Sequence, residues 1–412
     1  MIQFKEFSLE NGLRVIVHED PTVQIAVLNV LYDVGSRDEN PEKTGFAHLF
    51  EHLMFGGSKN IPSYDEPLQM VGGDNNAFTN TDITNYYLTV PAPNIETGFW
   101  LESDRMLSLS FDPQVLAVQQ KVVVEEFKQR YLNQPYGDVW LRLRPLAYLT
   151  HPYQWATIGK EISHIENATM EDVQRFFFQY YVPANAILVV AGNVTLDQVK
   201  RLSEKWFAPI SSPAVQERRL PQESAQTLKR TLEVEADVPA NALYKAYHMP
   251  GRFHKDFFAI DLMSDVLTCG HSSRLYQKLV KEKEIFTSIS SFTMGSIDPG
   301  LVVINGRVMD GVKLQDAEGE VNELVEEFVT GGVTEAELEK VKNQAYSTLE
   351  FGEVEVMNRA TNLAFAKLSG DVNHVNEEAH MIEVVTAGDI QAAARKVLRE
   401  ENSNVLYYKS KG

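Results

Sequence analysis

The stretch Thr44–Gly57, TGFAHLFEHLMFGG, constrains this chain more than any other. It sets His48, Glu51 and His52 in a short run that is otherwise Phe, Ala, Leu and Met, bounded by glycines. Apolar positions all round predict a buried helix. Residues four apart on a helix lie one turn above each other, with Cβ atoms about 6 Å apart. His48 and His52 form such a pair, so both imidazoles can reach one ion. Zinc takes imidazole nitrogen at about 2.0–2.1 Å, and a catalytic zinc site uses three protein ligands plus water. Glu51 stands beside His52 near the ligand face, which suits a general base. Three polar groups on a buried helix are costly unless partnered, and a metal site partners all three.

A third donor has to come from elsewhere. The segment QQKVVVEEFKQR offers Glu125 and Glu126 in an otherwise apolar helical stretch. Adjacent helical residues point about 100° apart, so one of the two can face a metal while the other faces away.

The surrounding pattern gives the architecture. Arg14 to Val17 and Val23 to Tyr32 read as strands, rich in β-branched residues. Gly72 to Val90 carries two strand-like segments around a polar turn at Asn80 to Asp82. Helical periodicity runs from about Ile95 to Leu132, with a break near Phe111-Asp112-Pro113, and Ala184 to Val194 is another strand. Residues 208–226 are rich in Pro, Ser and charge without periodicity, as in a linker. Beyond them RTLEVEA and ALYKAYHM read as strands, and KDFFAIDLMSDVLTCG as an apolar helix ending in glycine. Setting Gly57 against Gly270 overlays the two apolar helices. His48 then falls on Asp261, Glu51 on Ser264 and His52 on Asp265, which points to an internal duplication whose second copy lacks the histidines. The prediction is an α+β protein of two similar domains, each a mostly antiparallel sheet with helices on one face. The zinc-binding domain spans 1–210, a linker 211–228 and the second domain 229–412.

Length and charge agree. At 412 residues the chain suits two domains. Its formal charge of −19, from 57 acidic and 38 basic side chains, argues against nucleic acid and anionic membrane surfaces as partners. One cysteine, Cys269, allows no intrachain disulfide and fits a reducing compartment. No apolar run approaches bilayer-spanning length, and the opening residues lack a secretory pattern. A cytoplasmic location is therefore expected.

H-x-x-E-H is the inverzincin signature. With VVVEEF some seventy residues later, the chain resembles the pitrilysin-type zinc proteases, and its size resembles the short bacterial branch similar to mitochondrial processing peptidases. LENGLRV, VGSRDE, GGDNNAFT, HPYQWATIG, AILVVAGNV and SSRLYQKL extend the similarity along nearly the whole chain. The resemblance implies one Zn²⁺ held by His48, His52 and Glu126, rather than Glu125, with Glu51 as base. It implies that Asn75, Asn76, Ala77, Phe78 and Thr79 form an edge strand onto which a peptide substrate adds by backbone pairing. It further implies hydrolysis of unfolded peptides inside a chamber formed by dimerisation. Two places depart from the family pattern. Gln119 stands where a Glu often lies seven residues before the ligand Glu, leaving an uncharged group to support the site. Val280 and Thr287 stand where an Arg and a Tyr hold the substrate carbonyl, and neither Lys281 nor Arg274 fits that pattern. A heterodimer with a related chain that keeps the Arg and Tyr is thus favoured over a homodimer. The alternative is a non-catalytic zinc-binding subunit of the same fold.

Overall fold

The computed structural model describes residues 1–215 and 217–411. Its strands are β1 (Lys5–Ser8), β2 (Arg14–Glu19), β3 (Ile25–Tyr32), β4 (Asp74–Thr79), β5 (Thr84–Pro91), β6 (Ala186–Gly192), β7 (Arg230–Ala236), β8 (Ala242–His248), β9 (Phe286–Met294), β10 (Leu301–Val308) and β11 (Ser403–Ser410). They form two sheets, ordered β1-β2-β6-β3-β5-β4 and β7-β11-β8-β10-β9. Replace β2, β3, β4, β5 and β6 by β7, β8, β9, β10 and β11 and the first order becomes the second, with only β1 left over. Directions agree as well: β2–β6 and β7–β11 are the parallel pairs, and the other pairings in each sheet are antiparallel. In each copy an apolar helix follows the second strand, Phe46–Leu53 in the first and Phe257–Thr268 in the second. The duplication inferred from one glycine overlay is therefore written in the whole topology.

Helices cover each sheet on one face, as the sequence leads one to expect, and a further helix covers the other. In the second sheet Leu243, Tyr247, Val302, Ile304, Val405 and Tyr407 pack with the Phe257–Thr268 helix. Their alternates Ala242, Tyr244, Ala246, Leu301, Val303, Leu406 and Tyr408 pack with Val139, Leu143 and Ala147 of the Val139–Ala147 helix. In the first sheet Ile16, Val27, Leu31, Ile187, Val189 and Ala191 pack against Val356, Ala360, Leu363 and Ala364 of the Val356–Leu368 helix. A strand buried on both faces loses its polar alternation, and β6, AILVVAG, is buried at all seven positions.

Each sheet thus takes its second cover from the other half of the sequence. One compact unit comprises Met1–Lys128, Trp155–Leu220 and Glu350–Glu377; the other comprises Gln129–Gln154, Pro221–Leu349 and Glu378–Gly412. The sequence division at 211–228 differs from these units by two exchanged segments. Neither segment announces its destination, because an amphipathic helix fits any apolar face of the right width. Residues 211–215 and 217–227 have no regular structure. In the first unit Arg218 binds Asp33 and Asp38. In the second, Glu223 accepts the backbone N–H groups of Leu149, Thr150 and His151. Among the described residues no helix is long and apolar enough to cross a membrane.

Candidate metal centre

The Phe46–Leu53 helix is eight residues long and buries Phe46, Ala47, Leu49, Phe50 and Leu53. His48, Glu51 and His52 are half-buried on its remaining face. The helix starts at Gly45, whose φ of 87° lies in the left-handed region. A Cβ there would also stand 2.6 Å from the Ile158 carbonyl oxygen, so both backbone angle and space require glycine. Just past the other end, a Cβ on Gly56 would stand 2.3 Å from Val115 Cγ1. That close approach lets the Pro113–Phe127 helix lie against the histidine helix.

The Pro113–Phe127 helix begins with Asp112 accepting the N–H of Gln114 and with proline at its first position, a favourable start on both counts. It buries Val123, Val124 and Phe127. Glu126 on the same side is turned toward the histidines, its Oε2 lying 3.3 Å from His52 Nε2 and 3.6 Å from His48 Nε2. Glu125 is largely exposed and pairs with Lys128 at 2.7 Å. The two imidazoles meet edge to face with centroids 4.9 Å apart. One donor atom from each of His48, His52 and Glu126 lies within 4.8 Å of the others, and no further cluster of this kind occurs among the described residues.

These donors fit zinc. Tetrahedral ligands at about 2.0–2.1 Å from the ion lie roughly 3.3 Å apart, close to the 3.3 and 3.6 Å at which Glu126 Oε2 meets the two rings. Two imidazoles and a carboxylate form a mixed N/O set that leaves one position of a tetrahedron open, as in catalytic zinc sites.

The remaining candidates are placed as follows. Glu51 lies close enough to Tyr86, Tyr87 and Tyr181 to act on all three. Burial first, and the Glu51 charge among lesser causes, raises the pKa of each hydroxyl. Asn75 to Thr79 lie in β4, which pairs with β5 on one side only and ends the sheet. Contacts link β4 to the Phe46–Leu53 helix. Gln119 is half-buried on the Pro113–Phe127 helix, seven residues before Glu126. In the second unit Val280 packs against the core and Thr287 is exposed on β9. Arg274 is bound to Glu337 through two hydrogen bonds of 2.6 and 2.7 Å and to the Gly332 carbonyl. Lys281 is exposed, its ammonium 5.8 Å from the Tyr276 ring.

The last residue of VGSRDE has a role that motif reading does not give. Glu39 is 5% exposed, and its two carboxylate oxygens accept the N–H groups of Gly45 and Ala47, each at 2.8 Å. Burial pushes its pKa up to about 8, against the pull of those two bonds. The available signal was an acid six residues ahead of a glycine-led helix that has no acid in its own first turn.

Residues 14–141 match the insulinase family, peptidase family M16, and residues 167–345 match the Peptidase M16 inactive domain. The chain is 34% identical over 343 residues to the zinc protease PqqE of Helicobacter pylori, covering 81% of this chain and 77% of that protein. It is 26% identical to the uncharacterized zinc protease YmxG of Bacillus subtilis, covering 98% and 97%. The crystal structure of a protease from Helicobacter pylori superposes with a TM-score of 0.92 at 29% identity, over 99% of this chain and all of that one. The chain belongs to the M16 peptidase family.

Proposed function

We propose that the protein is a zinc-dependent endopeptidase that cleaves unfolded peptides, one ion being held by His48, His52 and Glu126. The observation that carries this reading is the meeting of Glu126 Oε2 with both Nε2 atoms. When bound, zinc supplies Lewis acidity, lowering the pKa of a water toward about 7 and polarising a carbonyl. Glu51 takes the proton of the attacking water and returns it to the leaving amine. The open edge of β4, Asn75 to Thr79, pairs with the extended backbone of the substrate, which gives affinity with little demand on side chains. Gln119 supports the site as an uncharged group. The single cysteine supports a cytoplasmic location.

The same residues support a paired enzyme. Val280 and Thr287 occupy the places of the carbonyl-holding Arg and Tyr, and Arg274 is engaged by Glu337. Removing one donor to a developing oxyanion costs about 10²–10³ in rate. The chain therefore works with a related subunit that supplies those donors, in a dimer that closes a chamber. A second reading, a zinc-holding subunit without activity of its own, is favoured by the same two positions and by the match to an inactive-domain family. Digestion of an unfolded peptide library by the chain alone, by the chain with a related partner and by both after chelation separates these readings. Zinc-dependent cleavage that rises with the partner supports the first. Bound zinc with no cleavage in any arm supports the second.

A further inference from the structure

We propose that Glu39 is a positioning residue for the metal site, fixing the first turn of the Phe46–Leu53 helix and so the direction of His48 and His52. The proposal rests on the reading of those histidines as ligands. A helix leaves its first N–H groups without intrahelical partners, and a Ser, Thr, Asp or Asn at the cap usually meets one of them. Here the cap is Gly45, held to glycine by its φ of 87° and by the Ile158 carbonyl, so no cap side chain exists. No acid stands in the first turn either. Glu39 performs the task from outside the helix, one oxygen to Gly45 N–H and the other to Ala47 N–H. Ala47 immediately precedes His48.

A two-turn helix is marginal on its own, and its N-terminal turn carries the first ligand. Outside groups therefore have to define its direction, and Glu39 is well fixed to do so. It follows the Ser36–Asp38 turn, in which the Ser36 carbonyl accepts Trp155 Nε1–H at 2.8 Å and Asp38 accepts Gly35 N–H at 3.0 Å and Arg218 Nε–H at 2.6 Å. Both oxygens of Glu39 thus lie at the end of the helix where its unpartnered N–H groups point. Ligand direction decides metal affinity as much as ligand identity does, and loss of an outer partner typically lowers affinity 10–100-fold.

The test compares the intact chain with Glu39→Gln, which keeps the volume but presents an NH₂ to one of the two N–H groups. Two readouts are taken: amide hydrogen exchange of the metal-free protein and zinc affinity by chelator competition. Exchange at Gly45 and Ala47 should rise roughly tenfold or more, with exchange in the Phe257–Thr268 helix unchanged. Zinc affinity should fall about 10–100-fold. If Glu39→Gln does not fold, Glu39→Asp, which keeps the carboxyl group and shortens the reach, should move both readouts in the same direction. Unchanged exchange at Gly45 and Ala47 overturns the proposal, as does faster exchange with undiminished zinc affinity. No zinc binding by the intact chain overturns the metal reading beneath it, an outcome distinct from failure of the proposal alone.

Discussion

The helices Phe46–Leu53 and Phe257–Thr268 occupy the same place in two copies of one topology, and they carry different side chains at the overlaid positions. On the first, His48 and His52 face Glu126. On the second, the overlaid positions are Asp261, Ser264 and Asp265. Asp261 accepts the hydroxyl of Thr293, and Ser264 meets the hydroxyl of Ser291 at 2.6 Å. Burial pushes the Asp265 carboxyl up to about 6, with Asp261 adding to the rise and Lys340 opposing it. One copy gathers two imidazoles and a carboxylate, and the other ties Asp261 and Ser264 to its own edge strand β9. The apolar pattern that makes sheet and helix is common to both, so fold alone does not locate the site; a few side chains do.

The largest expected effect falls on catalysis. Glu51→Gln should lower peptide hydrolysis about 10²–10⁴-fold while zinc stays near one per chain, as seen by elemental analysis beside an activity assay. Loss of zinc from this variant would mean that Glu51 is a ligand. Next come the two adjacent acids. Glu126→Gln should weaken zinc binding by more than about 100-fold, beyond the usual loss from an outer partner, and Glu125→Gln should barely change it. Equal retention in the two variants would remove Glu126 from the donor set.

The exchanged helices sharpen the comparison from the side of stability. Leu363 and Leu143 are fully buried on the helices that close the second face of each sheet. Leu363→Ala and Leu143→Ala should each cost about 2–5 kcal/mol in denaturant unfolding. A cost below about 1 kcal/mol at Leu363 would mean that the Val356–Leu368 helix is not part of the first unit's core.

The smallest effect is a pH dependence carried by Asp265 in the second copy. Because the folded-state pKa of Asp265 is raised from an ordinary 3.8 to about 6, the folded state holds the proton more tightly than the unfolded chain. Its contribution is present below about pH 4 and is lost as pH rises toward and through 6. Asp265→Asn should therefore gain stability relative to the parent chain above pH 6, on the order of 1 kcal/mol, and lose that advantage below pH 4. A difference in melting temperature that is flat from pH 4 to pH 8 would show that Asp265 is not strained.

Much of this could be read from the sequence, for physical reasons. The strands AILVVAG and IAVLNVLY show themselves by unbroken apolar character, and the histidine helix by polar groups set where burial requires partners. The glycine that ends each apolar helix exposes the duplication. The choice between Glu125 and Glu126 rests on rotation about a helix whose packing partner lies seventy residues away, so the residues alone leave it open. The helix exchange was hidden because an apolar stripe names no particular sheet. Glu39 was hidden because its role lies in two backbone N–H groups, and an acid six residues ahead of a glycine-led helix does not name them.

Anomalous diffraction at the zinc edge from crystals of the zinc-loaded chain tests the central claim most directly. The account predicts a single strong peak bounded by His48, His52 and Glu126, with none at Asp261 and Asp265. A peak in the second copy, or none among the two histidines and Glu126, would contradict it.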